Sequence, residues 1–376
     1  MKVVVYLINQ LRKSGPVNVL YDLVKNLDYS RYKPIVIKLM KDDPDKSITY
    51  KFEELGIEVI GLDYSFWDLE LRTQKVANQI QELLLKNKAS ILHSHGYHPL
   101  LISSYIKLEI IKLDTQHCIS IDSFRSSRGY LIGTYMHYRY LYRLRKVTAA
   151  VSISESVLNY YASLMPRMKL HMVYNGIDME NFCDEFIDKK KWKNKLGYND
   201  VDSLIVVVGH LSKLKNPELV IKAFISLQDK GYLKNTKLLF CGSGSEELKC
   251  RSLSKNYPQI EFLGYVFNVY EYLKAADISI CASSSEGFGL NFVEALASGV
   301  LVVSSDISTF KEFSDLYPYL KKYQFETGNQ IDLESKLIQL ENSIERIEAI
   351  KKDVVVRFSS VRMASQYMEI YDEYIN

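Results

Sequence analysis

Two glutamates on either side of a short glycine-containing loop are the residues best suited to binding a polar ligand. The segment from Cys281 to Gly299 reads CASSSEGFGLNFVEALASG, with Glu286 in the loop and Glu294 in the predicted helix that follows. Free backbone N–H groups at the start of a helix attract anions, and glycine lets a phosphate approach the backbone. A carboxylate accepts hydrogen bonds from the neighbouring hydroxyls of a sugar. A phosphate with a diol at each end, as in a nucleotide-diphosphate sugar, therefore fits this segment.

Further polar clusters each follow the end of a predicted strand. They are the basic loop Gly209–Asn216, the triplet Thr115–His117, the turn Gly242–Gly244 and the segment Leu263–Val266. In parallel α/β sheets, ligands bind beyond the carboxyl ends of the strands. These clusters are therefore candidates for ligand binding as well.

The elements that must position these residues form two series. Short apolar runs alternate with stretches of helical period, which predicts βαβ units and parallel sheets. The strands predicted in the first series are Val3–Ile8, Pro34–Leu39, Ile57–Leu62, Ser90–His93, Lys112–His117 and Ala149–Ile153. Those in the second are Leu204–Val208, Lys237–Phe240, Ile260–Leu263, Ile278–Cys281 and Val300–Val303. We expect an α/β protein with two Rossmann-like domains that face each other across a cleft.

The glutamate segment resembles the Glu-x7-Glu signature of retaining glycosyltransferases with the GT-B fold, of the family-four type (glycosyl transferases group 1). The wider family pattern, roughly PS-x-x-EGFGL-x-x-x-EA-x-A-x-G-x-PVV, matches here from Ala282 to Val303. The resemblance implies that Glu286 contacts the donor sugar hydroxyls and that Glu294 contacts the ribose diol. It also implies that the backbone amides of the loop, at Phe288, Gly289 and Leu290 after Gly287, hold the sugar and the diphosphate.

The loop Gly209–Asn216 is similar to the family's GRL-x-x-x-KG loop, in which an arginine and a lysine clamp the diphosphate. Lys215 matches the lysine, whereas His210 replaces the arginine and Asn216 replaces the glycine. Arginine offers a bidentate fork and a permanent charge, while a neutral imidazole offers one donor. The replacement predicts a clamp that is weaker or pH-dependent, or one in which Lys213 takes over the task.

The triplet Thr115–His117 resembles the family's Thr-x-His, whose imidazole lies near the anomeric centre and the β-phosphate of the donor. A retaining transfer without a covalent intermediate needs stabilisation of the leaving phosphate, and the resemblance assigns that task to His117. We accordingly expect His117, Glu286 and Lys215 to be catalytic. The residues expected to bind the donor are Gly15, His210, Lys213, Tyr265, Val266, Gly287, Phe288, Gly289, Leu290 and Glu294.

The domain boundaries follow from composition and from the resemblance. The Lys-, Asp- and Asn-rich stretch that begins at residue 184 is interpreted as the interdomain connection. Residues 1–183 would form an acceptor-binding domain, and residues 184–357 would form the domain that binds the nucleotide-sugar donor. A helical period continues towards the end of the sequence, and we expect a helix in residues 358–376 to pack back on the first domain.

Metal binding is not expected from the residue pattern. His93 and His95 alternate on a strand and could chelate a metal, but no carboxylate or further ligand is evident nearby. The Asp-x-Asp sequences at 43–45 and 200–202 lie in charged stretches away from the glycine-rich loops, and we interpret them as turns. We predict a metal-independent enzyme that needs no cofactor besides its donor substrate.

The composition of the sequence limits the cellular compartment and the classes of partner that can be expected for this protein. The five cysteines are scattered and form no CxxC pair, which argues against a disulfide framework and fits a reducing cytoplasm. A net charge of +3 is too small to indicate nucleic-acid binding. The apolar run Val3–Ile8 is too short for a signal peptide, and no run approaches the ~20 residues that span a bilayer. We expect a cytoplasmic protein, with peripheral attachment to the inner face of the cell membrane as an open alternative.

The stretch Arg125–Lys146 is both basic and rich in tyrosine. It predicts either a surface for membrane or lipid diphosphate, or a helix with one solvated face and a packed stripe of tyrosines. The sequence leaves these two interpretations open.

The leading functional hypothesis is transfer of a hexose or an N-acetylhexosamine from a nucleotide-diphosphate sugar, with UDP favoured over GDP. The acceptor would be a glycan or a lipid-linked sugar of bacterial surface polysaccharide synthesis. Two alternatives remain: a nucleotide-sugar epimerase or phosphorylase on the same scaffold, and a non-catalytic subunit that binds sugar nucleotides. No motif in the first domain identifies the acceptor.

Overall fold

The computed structural model describes residues 1–182, 187–201, 203–339 and 344–375. These residues fold into two compact units. The first comprises Met1–Ile177 and a C-terminal helix, Ser360–Ile375, and the second comprises Asp178–Ser359. The predicted boundary between residues 183 and 184 falls outside the described residues.

The first unit is an α/β fold around a parallel sheet. Its strands are β1 (Lys2–Ile8), β2 (Tyr32–Lys38), β3 (Glu58–Gly61), β4 (Ala89–His95), β5 (Ile111–Gln116), β6 (Ala149–Ser152) and β7 (Leu170–Met172). Its helices before the C-terminal helix are α1 (Gly15–Lys25), α2 (Thr49–Glu54), α3 (Phe66–Leu71), α4 (Thr73–Lys86), α5 (Tyr97–Ser103), α6 (Ser120–Arg128), α7 (Tyr130–Leu144) and α8 (Glu155–Leu164). The strand order within the described residues is β3-β2-β1-β4-β5-β6-β7, so the direction of strand addition reverses between β1 and β4.

The second unit repeats this plan. Its strands are β8 (Ser203–Val208), β9 (Thr236–Cys241), β10 (Ile260–Gly264), β11 (Ile278–Cys281), β12 (Leu301–Ser305) and β13 (Gln324–Phe325). Its helices are α9 (Lys189–Lys195), α10 (Pro217–Asp229), α11 (Glu247–Leu253), α12 (Val269–Ala275), α13 (Leu290–Ala297), α14 (Ser308–Leu316), α15 (Gln330–Ile338) and α16 (Ile344–Arg357), with short 3-10 helices at Met179–Asn181, Lys213–Lys215 and Pro318–Tyr323. The order β10-β9-β8-β11-β12-β13 reverses between β8 and β11.

The local sequence explains the central elements of both units. In β1, every side chain from Val4 to Ile8 is buried, as expected for a central strand covered by helices on both faces. In α1, Pro16 occupies the first turn, where its missing N–H is harmless, and the apolar residues that follow face the core. The predicted fold class, two Rossmann-like units with parallel sheets, is confirmed.

None of the helices within the described ranges combines the length and the apolar character needed to cross a bilayer. In the first Asp-x-Asp sequence, Asp43 accepts a hydrogen bond from the backbone N–H of Asp45 at 3.2 Å, and Lys46 donates to the Asp43 carbonyl at 3.0 Å. These bonds close a turn. In the second sequence, Asp202 lies outside the described residues.

Candidate active site

The loops after β8 and β11 meet where the second sheet reverses its strand order. The backbone N–H of Ser284, in the loop after β11, donates to the carbonyl of Leu214, in the loop after β8, at 2.7 Å. The Lys215 ammonium forms an ion pair with the Glu286 carboxylate. Open parallel sheets bind ligands at this reversal point. The structure thus brings two predicted catalytic residues into direct contact.

Hydrogen bonds from neighbouring side chains hold Glu286 in place. The Ser283 hydroxyl donates to Oε1 of Glu286 at 2.8 Å, and the Thr309 hydroxyl donates to its backbone carbonyl at 2.9 Å. Ser305 in turn donates to the carbonyl of Ser283 at 2.6 Å. The carboxylate therefore has a fixed position and a paired charge. The family pattern includes Ser283, but the sequence analysis gave no role to Ser283 or to Thr309, because a serine after a strand and a threonine at a helix start are common.

Glu294 lies in α13 and contrasts with Glu286. Its side chain is partly buried, and among the described residues no hydrogen bond or ion pair reaches its carboxylate. Burial raises the pKa of Glu294 to about 7, even though the nearby Lys215 charge acts to lower it. Donors such as sugar hydroxyls would favour the ionised form and lower this pKa.

Donor binding is expected to weaken as the pH falls below 7. Hydroxyl donors favour the carboxylate form of Glu294, so its pKa is lower in the complex than in the protein without donor. The affinity for the donor therefore reaches its full value only at a pH above the pKa that Glu294 has without donor. The Kd for a nucleotide-diphosphate sugar should rise by up to about tenfold per pH unit below 7. Isothermal titration calorimetry across this range measures the effect.

A Glu294→Gln variant is the control for this pH effect. It should bind the donor more weakly, and its affinity for the donor should no longer fall as the pH drops below 7. Donor binding that strengthens in acid, or an acid-side decline that persists in Glu294→Gln, would contradict the role of Glu294.

The amino terminus of α13 is anchored at the same edge of the sheet. Asn291 donates from Nδ2 to the carbonyl of Val208 at 3.0 Å, which ties the helix to the end of β8. Gly289 has φ +89°, and a Cβ at this position would lie 2.8 Å from a ring carbon of Phe310. A side chain is therefore excluded where the backbone turns into the helix. Sequence reasoning missed Asn291, which occupies an unspecified position of the family pattern.

The other predicted donor-binding residues in the loops after β8 and β11 differ in how far their side chains are exposed to solvent. The Phe288 ring is buried and packs edge-on against Phe313 and Phe358, so the aromatic side chain belongs to the core. His210 and Lys213 are both exposed in the loop after β8. Gly287 and Leu290 border the turn into α13.

Asn216, where the family has glycine, has φ +51° and ψ 48°. This left-handed conformation is one that asparagine tolerates better than most residues. The replacement of glycine at this position therefore keeps the backbone turn that leads into α10.

The end of β10 carries an exposed aromatic pair. Tyr265 and Phe267 contact each other edge to face, with ring centroids 5.1 Å apart. The preceding Gly264 forms a bridge with Gly242, which follows β9, so this pair adjoins the neighbouring loop. Val266 lies between the two rings in sequence and is partly buried. Sequence reasoning singled out Tyr265 and Val266 but not Phe267.

In the first unit, His117 follows β5 and contacts a residue of the adjacent strand. Its Nε2 lies 2.9 Å from Nδ1 of His95, the last residue of β4. Burial lowers the pKa of His117 to about 4, which keeps the ring neutral at physiological pH. Gly15 is the first residue of α1, beyond the end of β1.

His93 is fully engaged inside the protein. Its Nδ1 lies 2.8 Å from the Tyr371 hydroxyl and its Nε2 lies 2.8 Å from the Thr115 hydroxyl. Both ring nitrogens are thus occupied, and the alternative in which His93 and His95 chelate a metal does not fit this arrangement. Across the described ranges, no group of three or more His, Cys, Asp or Glu side chains is suited to a metal ion.

A buried carboxylate in β5 also escaped sequence reasoning. Asp114 accepts hydrogen bonds from Ser94 at 2.8 Å and from the Tyr140 hydroxyl at 2.6 Å. Burial raises its pKa to about 7 despite these two donors. Tyr140 lies on α7, so this bond fixes that helix against the sheet.

Helix α7 has one face in the core and an aromatic face outside. The buried face includes Met136, Tyr140, Leu141 and Leu144. On the other face lie Leu131, Tyr135, Tyr138 and Tyr142, between 57% and 82% exposed. The interpretation of this stretch as a packed stripe of tyrosines is therefore wrong for these three tyrosines. Their spacing of three and four residues makes a continuous exposed stripe along the helix.

Comparisons with known proteins agree with this architecture. The family model described as glycosyl transferases group 1 matches residues 188–353, and that described as glycosyltransferase family 4 matches residues 13–181. The N-acetyl-alpha-D-glucosaminyl L-malate synthase of Bacillus anthracis is 24% identical over 84% of this chain and 82% of its own length. The O-antigen biosynthesis glycosyltransferase WclY of Escherichia coli is 24% identical over 98% of each chain.

A solved structure extends the likeness to the whole fold. Anabaena Alr3699/HepE in complex with UDP-glucose superposes with a TM-score of 0.79 and 15% identity, covering 99% of this chain and 100% of that one. Each of the two units also matches a glycosyltransferase family model. The chain is therefore a glycosyltransferase and belongs to the group 1 glycosyltransferases of the family-four type, with the GT-B fold.

Proposed function

We propose that this enzyme transfers a hexose or an N-acetylhexosamine from a nucleotide-diphosphate sugar to a glycan or lipid-linked acceptor, with retention of configuration. The observation that carries the proposal is the ion pair between Lys215 and Glu286 at the strand-order reversal, beside the start of α13. A lysine there can stabilise the negative charge that develops on a departing diphosphate. No metal is needed for that task in this scheme.

The proposed roles follow the order of groups along the donor. Glu286 accepts hydrogen bonds from the sugar hydroxyls, and the unpartnered carboxylate of Glu294 accepts those of the ribose. Lys215, with His210 and Lys213, neutralises the diphosphate. The remaining donor contacts are proposed at the amides of Gly287, Phe288, Gly289 and Leu290, at Tyr265 and Val266 for the base, and at Gly15. His117 serves as a neutral hydrogen-bond donor to the leaving phosphate.

The printed names of related proteins support the choice of donor and pathway. The solved Anabaena relative holds UDP-glucose, and the Bacillus anthracis relative is named for an N-acetylglucosaminyl group. WclY is named for O-antigen biosynthesis. We therefore propose UDP in preference to GDP, and bacterial surface polysaccharide synthesis as the setting.

A panel of UDP-, GDP- and ADP-sugars tests the proposed donor class. A UDP-sugar at about a hundred times its Kd should stabilise the protein by about 2.7 kcal/mol, which corresponds to a Tm increase of roughly 5–10 °C. Slow hydrolysis of the same donor should accompany the shift. A Lys215→Ala variant is the control and should lose most of both effects. The proposal fails if no nucleotide sugar raises the Tm.

We also propose that helix α7 contacts an anionic membrane surface. Its exposed stripe of Leu131, Tyr135, Tyr138 and Tyr142 is flanked by basic residues, and the helix contains no acidic residue. Of the basic residues in this stretch, Arg128, Arg145 and Lys146 are exposed, and Arg125 and Arg143 are partly exposed. Tyrosine and arginine together suit the boundary between lipid headgroups and acyl chains.

A second helix widens this surface. Arg139 of α7 forms an ion pair with Glu70 of α3, which fixes the two helices together. The α3 residues Trp67 and Leu71, one helical turn apart, are both largely exposed. Apolar and aromatic side chains from two helices thus combine with a net positive charge, a combination that fits a lipid surface better than a neutral protein partner.

Vesicle flotation tests the membrane proposal. The protein should float with vesicles that contain phosphatidylglycerol and much less with phosphatidylcholine alone. A Tyr135→Ser, Tyr138→Ser double variant should bind the anionic vesicles about tenfold more weakly or worse, because two rings leave the interface. Tyr232→Ser, at another exposed tyrosine, is the matched control. Equal flotation of the double variant, or loss of self-association instead, would overturn the proposal.

A further inference from the structure

Two arginines in the last turn of helix α6 carry positive charges that no carboxylate neutralises. Arg125 and Arg128 lie three residues apart, so they are neighbours on the surface of the helix. Within the described ranges neither guanidinium group forms an ion pair. Arg139 of α7 differs from them, because the Glu70 carboxylate neutralises its charge. The end of α6 therefore has a local excess of positive charge.

Aromatic rings and a hydroxyl hold the two guanidinium groups in place. That of Arg125 lies over the Tyr130 ring, with its central carbon 4.1 Å from the ring centroid, and its Nε donates to the Thr134 hydroxyl at 2.9 Å. That of Arg128 lies over the Phe66 ring of α3 at 4.9 Å. Stacking on a ring orients a guanidinium group and leaves its terminal N–H groups able to bind an anion.

The two helices of this hairpin are closely packed where the arginines lie. A Cβ on Gly133 of α7 would lie 2.5 Å from backbone atoms of Phe124 and Arg125, so the helices approach backbone to backbone. At the other end of α6, the Ser120 hydroxyl lies 2.8 Å from Nδ1 of His137 in α7. The position of the arginine pair is therefore fixed by the fold.

An exposed apolar tip adjoins the arginine pair. The chain turns at Gly129, where φ is +81°, and Tyr130, Leu131 and Ile132 follow with exposed fractions of 67%, 82% and 60%. Consecutive exposed apolar side chains suit the boundary between head groups and acyl chains of a membrane. Arginines beside such a tip would lie at the level of the lipid phosphates. This combination fits a phosphate that is attached to a lipid better than a soluble anion.

Helix α6 also connects this tip with the carboxyl end of β5. The helix begins at Ser120, shortly after β5 ends at Gln116, and its last residue is Arg128. Its nine residues span about 14 Å, at 1.5 Å for each residue. Ligands of parallel sheets bind at the carboxyl ends of the strands. A lipid-linked sugar whose phosphates bind at the arginines can therefore extend along α6 towards this edge of the sheet.

We propose that Arg125 and Arg128 bind the diphosphate of a lipid-linked sugar, and that this lipid-linked sugar is the acceptor of the enzyme. The inference rests on the proposed function for the transfer itself. A diphosphate offers two adjacent anionic groups, and two guanidinium forks one helical turn apart can each pair with one of them. The lipid chain lies in the membrane with the apolar tip. The site uses no residue of the second unit.

Vesicle flotation tests this site without any transfer reaction. One set of phosphatidylcholine vesicles contains a polyprenyl diphosphate, and the other contains phosphatidylglycerol at the same total negative charge. The wild type should bind the first set about tenfold more tightly or better, because a charge-assisted pair at a fixed fork adds to the general attraction of an anionic surface. Complete displacement by an equal concentration of inorganic diphosphate would identify a soluble anion as the ligand and overturn the proposal.

Two double variants separate the arginine site from general surface charge. Arg125→Lys with Arg128→Lys keeps both charges but not the forks, so it should lose most of the preference for the polyprenyl diphosphate and still bind phosphatidylglycerol vesicles. The matched control is Arg145→Gln with Lys146→Gln, which removes two exposed charges near the other end of α7. The control should bind both sets of vesicles more weakly and keep the preference.

The product of transfer supplies the second measurement. With a labelled UDP-sugar and a lipid extract of the organism that encodes the protein, the label should enter the organic phase. Mild acid cleaves glycosyl diphosphates and should release this label into water. A label that stays in the organic phase after acid treatment, or that enters only soluble products, contradicts a diphosphate-linked acceptor.

Equal binding of the wild type to both sets of vesicles overturns the proposal, and so does a preference that survives in the lysine variant. A preference that disappears in Lys215→Ala would place the lipid diphosphate in the donor site, with the same consequence. If the preference is as expected but no nucleotide sugar raises the Tm, the proposed function fails instead. The two failures are therefore distinguishable.

Discussion

Replacing Glu286 with alanine or glutamine is expected to lower kcat for sugar transfer by about 10²–10³-fold or more, the cost of removing one preorganised transition-state contact. The carboxylate pairs with Lys215 and accepts a hydrogen bond from Ser283 at 2.8 Å. Glutamine keeps the shape but cannot balance the lysine charge. The amino group would then lose the partner that holds it in place for the diphosphate.

The contrast with Glu294 makes this result specific. Because Glu294 is assigned to the ribose, far from the reacting atoms, Glu294→Ala should mainly raise the donor KM and leave kcat within a few fold. Initial rates over a range of donor concentrations separate the two constants. Small and equal effects of the two substitutions would show that the glutamates only support the fold.

A matched control for Glu286 exists in the same unit. Glu334 is also a largely buried carboxylate paired with a lysine, Lys230, at 2.6 Å, but it lies on α15. Glu334→Gln removes a comparable ion pair without touching the loops after β8 and β11. Its kcat and KM should match the wild type, which would separate loss of catalysis from loss of a buried charge pair.

The substitution Gly242→Ala is expected to lower the free energy of unfolding of the second unit by about 3 kcal/mol or more. The cost of overpacking and the cost of backbone strain add together at this position. A Cβ at this position would overlap the carbonyl oxygen of Gly209, and φ is +154°. Neither backbone can retreat easily, because Gly209 N donates to the carbonyl of Cys241 at 3.0 Å and Leu211 N donates to that of Ser243 at 3.0 Å.

The same substitution should weaken donor binding. The loop that begins at Gly209 carries Lys215, so a displacement of this backbone moves the lysine away from Glu286. Gly242→Ala should therefore raise the donor Kd as well as lower the free energy of unfolding. Calorimetric titration of the folded variant measures the first effect.

Gly231→Ala is the control for backbone strain alone. Gly231 has φ +83°, but the only atom near a Cβ there is the flexible Cε of Lys234, at 3.5 Å. Its cost should be about 1–2 kcal/mol, the price of a left-handed conformation for an L-residue. Urea unfolding in a Trp67→Phe background leaves Trp192 in α9 to report on the second unit. Equal losses at both glycines would contradict the clash at Gly242.

Much of the fold could be predicted from the pattern of apolar runs. Each predicted strand is present, within a few residues at its ends. The pattern missed β7 and β13, which have three and two residues and lie at sheet edges. Strands this short contain too few side chains to establish a period.

The candidate site was only partly accessible from the sequence. Glu286 could be identified because its motif lies in one continuous segment. Lys215 could be identified from the loop after β8, but its ion pair with Glu286 could not, since β8 and β11 are neighbours in the sheet but distant in the chain. The same reason hid the contact between His95 and His117, whose strands are adjacent with His95 in register with Thr115. The sequence showed that the stretch containing α7 is rich in tyrosine, but it did not show which of these side chains are exposed.

The C-terminal helix makes the second unit an insertion in the first. Tyr367 and Tyr371 bond to Thr115 and His93, in the middle of the first sheet. During synthesis these partners leave the ribosome before the whole of Asp178–Ser359, which takes about 10–40 s at ordinary elongation rates. During that interval His93 and Thr115 lack the hydrogen bonds that Tyr371 and Tyr367 make to them. The inserted unit can therefore complete its folding first, and the enclosing unit matures last.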